Sequence, residues 1–122
     1  MKMTGEPLHF TSPERWRTWL ERNHATHDET WLLIYKRNAE TVSVTVDQSV
    51  EEALCFGWID SSMQPIDGDR YALRFTPRRK GSNWSERNKA RVAKLIEEGR
   101  MTEAGLAEIE LAKRSGRWDK AQ

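Results

Sequence analysis

The sequence predicts an α+β domain in which about four helices pack against a small three-stranded sheet, antiparallel or mixed. Segments with the helical period of apolar residues alternate with dense or alternating apolar runs, in the order α-β-α-β-β-α-α. The 122 residues are 37% hydrophobic and 32% charged, a composition that is typical of folded proteins. A chain of this length fits one unit, so we expect residues 1–122 to form a single domain.

The first helix and the first strand follow from the segments TSPERWRTWLERNH and ETWLLIYKR. Ser12 is a favoured N-cap, and Pro13 suits the first helical position. The apolar face of this helix is expected to contain Trp16, Trp19 and Leu20. The strand is predicted over Thr30 to Arg37. Its apolar run is too dense for a strand that is wetted on one side, so we expect it to be central in the sheet.

A second helix and a hairpin are predicted in the middle of the chain. The helix runs from about Asp47 to Phe56, and Gly57 stands where a left-handed cap is wanted. In the segment WIDSSMQPIDGDRYALRF, two extended runs flank the turn signature DGD, which is typical of a β-hairpin. The second run alternates apolar with polar residues, so one face of that strand should be apolar.

Two capped helices complete the predicted order. Ser85 caps a helix over Glu86–Glu98, and Thr102 caps a helix over Glu103–Ser115. Glycines 99 and 116 end them. Helical periodicity predicts two buried stripes, made of Val92, Leu95 and Ile96 in the first helix and of Leu106, Ile109 and Ala112 in the second.

Composition also bears on compartment and on class of protein. The single cysteine, Cys55, rules out an intrachain disulfide and fits a reducing compartment. No apolar run is long enough for a signal peptide or a membrane span, so a cytoplasmic protein without membrane insertion is expected. Six tryptophans indicate an aromatic core, in which most of them should be buried.

Positive charge is concentrated in residues 70–94, which contain nine Lys and Arg but only one Asp or Glu. The net charge of the whole chain is only +1. On a helical projection of residues 86–98, Arg87, Arg91 and Lys94 lie opposite the buried stripe, so we expect them in water. Lys94 and Glu98 are spaced for an ion pair along the helix.

The start of the Glu86 helix is the predicted anion site. First-turn N–H groups lack helical partners and carry partial positive charge. Ser85 offers a hydroxyl, Trp84 a flat wall and Asn88 an inward amide. The guanidinium of Arg78, at the end of the hairpin, can hold a phosphate or carboxylate at two points if the strand is aimed at the helix start.

Three further residues complete the candidate set of ligand-binding residues. Trp58 and Asp60 share one face of their strand, and Lys36 ends its own strand. The plainer alternative is that Ser85 only caps the helix, that Asn88 only satisfies a backbone group and that Arg78 pairs with Asp60. The candidate set is Lys36, Trp58, Asp60, Arg78, Trp84, Ser85 and Asn88.

Other functions stay open at this point. The basic segment 70–94, with Trp84 for stacking, is compatible with single-stranded nucleic acid, although the acidic first half argues against it. Asp60 beside Trp58 can serve an enzyme as a general acid or base. Exposed tryptophans can contact a protein partner. His24 and His27 lack the convergent ligands of a metal site, and we predict no metal and no cofactor.

Several segments together resemble the YdeI/OmpD-associated family, also called OmdA or bacteriocin-protection proteins. They are RWRTWLERNH, EEALCFGWIDS, FTPRRKGSNWSERNKARV and LIEEGRMTEAGLAEIELAKRSGRW. The resemblance covers roughly Phe10 to Trp118, and ALCFGWID, TPR, SNWS and GRMT follow in the order and spacing of that family.

This resemblance implies a role in resistance to bacteriocins or cationic antimicrobial peptides and an association with outer-membrane proteins. Some members of that family are thought to be periplasmic, whereas the start of this chain lacks an export signal. The family carries no established catalytic residues or cofactor. Its motif positions coincide with most of the candidate set, namely Trp58, Asp60, Arg78, Trp84, Ser85 and Asn88.

Overall fold

The computed structural model describes Met3 and residues 5–121. Over this part of the chain the elements follow in the predicted order, which confirms the α+β class. They are α1 (Pro13–Asn23), β1 (Thr30–Tyr35), α2 (Val46–Cys55), β2 (Trp58–Pro65), β3 (Arg70–Pro77), α3 (Glu86–Glu97) and α4 (Glu103–Arg114). None of these helices is long and apolar enough to cross a membrane.

The three strands form one antiparallel sheet in the order β1-β3-β2. The prediction that β1 is central was therefore wrong, since β3 is the central strand. The N-terminal segment covers the outer edge of β1: the Leu8 N–H donates to the Trp31 carbonyl at 2.8 Å, and the Leu33 N–H donates to the Leu8 carbonyl at 2.9 Å. The apolar run of β1 is explained by burial of both faces of the strand. It does not indicate that β1 has a neighbouring strand on each side.

The predicted hairpin is β2–β3, and its turn is held by Asp67. The Asp67 carboxylate accepts from the Asp69 N–H and from Nε of Arg70, both at 2.9 Å. The register shifts between Asp60 and Met63, which marks a bulge in β2. The bulge lies at the edge of the sheet, where an unpaired residue costs little.

All four helices begin at a Ser or Thr whose side chain accepts a first-turn N–H, as predicted for Ser12, Ser85 and Thr102. Thr45 does the same for α2. After α2 the chain reverses at Gly57, whose φ is +76°. A side chain there would also meet the Ala104 carbonyl of α4 at 3.1 Å, so glycine is required twice over at this point.

The core lies between one sheet face and the helices, and it is rich in aromatic side chains. Four of the six tryptophans are buried, as predicted for most of them: Trp16, Trp31, Trp58 and Trp84. Two predicted core residues are instead exposed, Ile96 by 47% and Leu106 by 43%. The buried stripe of each helix is narrower than predicted, and these two residues lie one position outside it. In α4 the buried stripe consists of positions 105, 109 and 112.

Candidate functional site

The loop between β3 and α3, residues 78–85, packs against the segment that follows α4, residues 115–121. The rings of Trp84 and Trp118 lie 5.0 Å apart between centroids. Nε of Arg117 donates to the Ser82 carbonyl at 3.1 Å, and Nζ of Lys89 donates to the Trp118 carbonyl at 3.1 Å. We call these two segments the loop and the tail.

Arg78 opens the loop and turns its side chain inward. Its backbone N–H donates to the Gly57 carbonyl at 3.0 Å, which continues the sheet pairing by one residue. The guanidinium carbon lies 3.8 Å from the centroid of the Trp84 ring, and Nη1 donates to the Asn83 carbonyl at 3.1 Å. The residue is only 8% exposed, and its Nε is buried without a hydrogen-bond partner among the described residues.

The charge on Arg78 is held in an unfavourable setting. Burial lowers the pKa of its guanidinium to about 10, and repulsion by Arg117 acts in the same direction. Glu108 and Asp60 attract the guanidinium and oppose these effects. Within the described chain, neither carboxylate lies inside the 4.0 Å limit of an ion pair with Arg78. The Arg78–Asp60 pair of the plainer alternative is therefore not formed.

A hollow of about 280 Å³ opens between the loop and the tail. Its lining consists of Asn83, Trp84, Arg117 and Lys120. We call it the loop–tail hollow. Arg78 lies against the ring of Trp84 and does not line it. For Arg117 and Lys120 too, the part of the chain that the structure describes offers no carboxylate within ion-pair distance. The hollow thus presents two unpaired cations, an amide and an indole.

The start of α3 adjoins this hollow but is largely occupied by its own side chains. Oγ of Ser85 accepts the Asn88 N–H at 3.1 Å, so Ser85 acts as the helix cap. Oδ1 of Asn88 accepts from Nη1 of Arg91 at 2.9 Å. The cap interpretation of Ser85 is thereby confirmed, while Asn88 orients a side chain of its own helix and does not serve a neighbouring backbone group.

Of the seven predicted site residues, Trp84 is the one that lines the loop–tail hollow. Arg78, Ser85 and Asn88 lie near it in the chain, and the other three are placed elsewhere. Lys36 is exposed beside Asp69, at the far end of β3; the chain runs extended from Asp69 to Arg78, roughly 30 Å. Trp58 is 1% exposed and packs edge-on against Trp19 in the core. Asp60 is half-buried opposite Phe75 in the sheet, so it contributes charge to the surroundings of Arg78 without pairing with it.

Residues Asn83, Arg117 and Lys120 were missed at the level of sequence. Asn83 belongs to the motif SNWS, from which Trp84 and Ser85 were predicted as site residues and Asn83 was not. Arg117 and Lys120 stand in a short stretch after a helix end, where no local pattern indicates which loop they meet. The contact of Arg117 with Ser82 joins residues 35 positions apart.

The basic segment is more fully neutralised than predicted. Nη2 of Arg91 lies 2.5 Å from the Asp47 carboxylate, and Nζ of Lys94 lies 3.0 Å from that of Glu51. Both cations therefore join α3 to α2, and the expected Lys94–Glu98 pair is replaced by this contact. The nucleic-acid alternative depends on six cations of this segment: Arg78, Arg79, Lys80, Arg87, Arg91 and Lys94. Those left exposed without a carboxylate partner among the described residues are Arg79, Lys80 and Arg87.

Comparison with known proteins identifies one family. A family model described as a domain of unknown function (DUF8412) matches residues 8–108. This range includes the loop and ends before the tail. No curated protein and no solved structure matches the chain.

Proposed function

The chain belongs to the DUF8412 family of unknown function, and from the chemistry of the loop–tail hollow we propose that it binds a small anionic ligand, a phosphate or carboxylate compound. Arg117 and Lys120 supply the contacting charges, and Asn83 adds an amide. Trp84 forms an apolar wall against the body of the ligand.

One observation carries this proposal: two guanidinium groups, Arg78 and Arg117, repel each other beside a hollow, and neither has a carboxylate partner within the described residues. Arg78 is buried and Arg117 is half-buried. Buried charges are normally paired, because an uncompensated charge that is poorly hydrated is costly. An anion in the hollow neutralises Arg117 directly and lies within the field of Arg78.

The start of α3 adds to the attraction. Ser85 takes the Asn88 N–H, which leaves the N–H groups of Glu86 and Arg87 without a helical partner. These groups carry the positive end of the helix dipole and follow directly on Asn83 and Trp84 in the chain. The proposed ligand therefore lies ahead of the helix and is attracted by the first turn without contacting Ser85.

The resemblance to bacteriocin-protection proteins supports a setting for this binding. We propose a cytoplasmic stress-protection protein that captures its ligand rather than one that is inserted in a membrane. Nucleic acid is less well supported, because Arg91 and Lys94 are engaged by α2. An enzymatic role for Asp60 and a protein-docking role for exposed tryptophans stay predictions.

The test is a titration with inorganic phosphate, followed by calorimetry and by the indole N–H resonance of Trp84. Arg117→Gln removes one charge-assisted contact, which is worth roughly 1.5–3 kcal/mol, so we expect it to weaken phosphate binding by about tenfold or more. Arg114→Gln is the matched control. Arg114 is exposed at the end of α4, outside the hollow, and carries the same charge.

The control separates local contact from general charge. If both variants weaken binding equally, phosphate is attracted only by net charge and the hollow is not the site. If the wild-type protein binds neither phosphate nor acetate, the proposed function is wrong.

A further inference from the structure

The loop–tail hollow carries more positive charge than a single carboxylate can balance. Arg117 and Lys120 line it, and Arg78 lies one ring away, 3.8 Å from the Trp84 centroid. Glu108 and Asp60 attract Arg78 but do not reach ion-pair distance. Coulomb attraction scales with charge, so a dianion gains about twice the attraction of a monoanion at equal distance.

The hydrogen-bond donors that line the hollow belong to separate segments of the chain, the loop and the tail. Nε of Arg117 is already used by the Ser82 carbonyl, which fixes the guanidinium and leaves its two terminal nitrogens for a ligand. Lys120 comes from one turn further along the tail, and Asn83 comes from the loop. A carboxylate offers two oxygens in one plane, whereas a phosphate monoester offers three terminal oxygens that can meet three separate donors.

The size and walls of the hollow limit the rest of the ligand. The volume of about 280 Å³ is just below the range of typical ligand pockets, which measure about 300–1,000 Å³. The Trp84 indole lines it, and the centroid of this ring lies 5.0 Å from that of Trp118. A phosphate group with a short organic remainder fits this space better than a dinucleotide.

We propose that the ligand of the loop–tail hollow is a small phosphate monoester bound as its dianion, with Arg117, Lys120 and Asn83 as its contacts. This inference rests on the proposed anion-binding function and narrows its ligand class. It assigns the preference for phosphate over carboxylate to Arg117 and Lys120, neither of which lies in the matched family range.

No histidine of the described chain lies in the lining of the hollow, so binding of an anion can be compared at different pH values. His9 lies 5.4 Å from Tyr35, His24 lies 5.1 Å from Phe56 and His27 lies 5.3 Å from Trp19, each between ring centroids. None lines the hollow. A pH change through 6 therefore alters the charge of a phosphate monoester, whose second pKa is about 6, more than it alters the cations that surround it.

The experiment compares methyl phosphate, sulfate and acetate by calorimetry on the full chain at pH 7.5 and pH 5. We expect methyl phosphate to bind about tenfold more tightly than acetate at pH 7.5. Its affinity should fall by about fivefold or more at pH 5, where roughly one-tenth of it is dianionic. Sulfate, a dianion at both pH values, should keep its affinity within about twofold. Arg117→Gln should abolish the preference for methyl phosphate, while Arg114→Gln should preserve it.

Each other outcome has a definite meaning. Acetate that binds as tightly as methyl phosphate overturns the dianion inference but leaves the anion-binding function standing. If sulfate also loses affinity at pH 5, the weaker binding of methyl phosphate is caused by a change in the protein and not by the charge of the ligand. That result also overturns the inference. If none of the three anions binds, both the inference and the proposed function are wrong.

Discussion

Arg74 and Arg78 lie four residues apart, in and just after β3, and both are buried. Nη2 of Arg74 donates to the Glu29 carboxylate at 2.9 Å, and Nη1 donates to Oγ of Ser61 at 3.1 Å. Arg78 has only a backbone carbonyl and the Trp84 ring. The two buried arginines thus differ in their surroundings, because the charge of Arg74 is compensated by a carboxylate inside the protein and that of Arg78 is not.

The Arg74–Glu29 pair leads to a prediction at the residue scale. The Arg74 guanidinium, with the indole N–H of Trp31, holds the pKa of Glu29 below its ordinary value of 4.5. A lowered pKa in the folded state contributes stability that is fully present above the unfolded pKa and is lost as the pH falls through the folded pKa. We expect Glu29→Gln to cost about 1 kcal/mol at pH 7, at the low end for charged hydrogen bonds because the Glu29 side chain is 31% exposed.

Urea unfolding at pH 7 and at pH 3 measures this difference. The cost of Glu29→Gln should be smaller at pH 3 than at pH 7, because the wild-type carboxylate loses its charge as the pH falls through its lowered pKa. Glu40→Gln, in an exposed loop, is the control and should cost less than about 0.5 kcal/mol at either pH. A cost of Glu29→Gln that is the same at both pH values would show that shape rather than charge matters at this position.

At the scale of elements, the C-terminal end of α2 meets the first turn of α4. The Thr102 N–H donates to the Cys55 carbonyl at 3.2 Å, and the Thr102 hydroxyl donates to the same carbonyl. The negative end of one helix dipole therefore faces the positive end of another. This contact occupies the start of α4, whereas two residues that precede α3, Asn83 and Trp84, line the loop–tail hollow.

Gly105 makes this close approach possible, and Gly105→Ala tests it. A Cβ at this position would lie 2.6 Å from the Cys55 carbonyl oxygen and 2.8 Å from that of Leu54, and backbone atoms cannot move aside cheaply. Alanine favours a helix over glycine by about 1 kcal/mol. We expect the clash to outweigh that gain, with a net loss of about 2 kcal/mol in the free energy of unfolding measured in urea.

The matched control for this substitution is Gly68→Ala in the hairpin turn. A Cβ there meets no atom within 4 Å, and Gly68 does not have a positive φ. The free energy of unfolding of the Gly68→Ala variant should differ from that of the wild type by less than about 0.5 kcal/mol. A stabilising Gly105→Ala would mean that α2 and α4 are further apart in solution than the structure has them.

At the scale of the whole molecule, the helices are tied together around Glu52. This buried carboxylate accepts from Nη1 of Arg17 in α1 at 3.0 Å and from Nη2 of Arg100, after α3, at 2.6 Å. Cys55 lies one turn further along α2 and is fully buried. Burial raises the pKa of its thiol above the ordinary value of 9.0, which suppresses the reactive thiolate.

Cys55, the single cysteine of the chain, therefore reports on cooperative unfolding. We expect a thiol reagent at pH 8 to label the native protein on the order of a thousandfold more slowly than the urea-unfolded protein. The logarithm of the labelling rate should rise with urea in parallel with global unfolding. We expect this because α1 and the segment around Arg100, which both contact Glu52, must separate from α2 before the thiol is exposed. Rapid labelling that does not depend on urea would show that α2 opens locally and that the Glu52 contacts do not hold the helices together.

The sequence by itself determined the class of fold, the order of elements, three of the four helix caps and the burial of most tryptophans. These features depend on local periodicity and on short-range hydrogen bonds, such as that from Asn88 N–H to Ser85, which act within a few residues. Only the tertiary structure decided that β3 is central, that Lys36 lies far from Arg78 and that Arg117 and Lys120 meet Trp84. Strand order and the packing of the tail on the loop join residues tens of positions apart, and their geometry is set by how the whole core closes rather than by any local pattern.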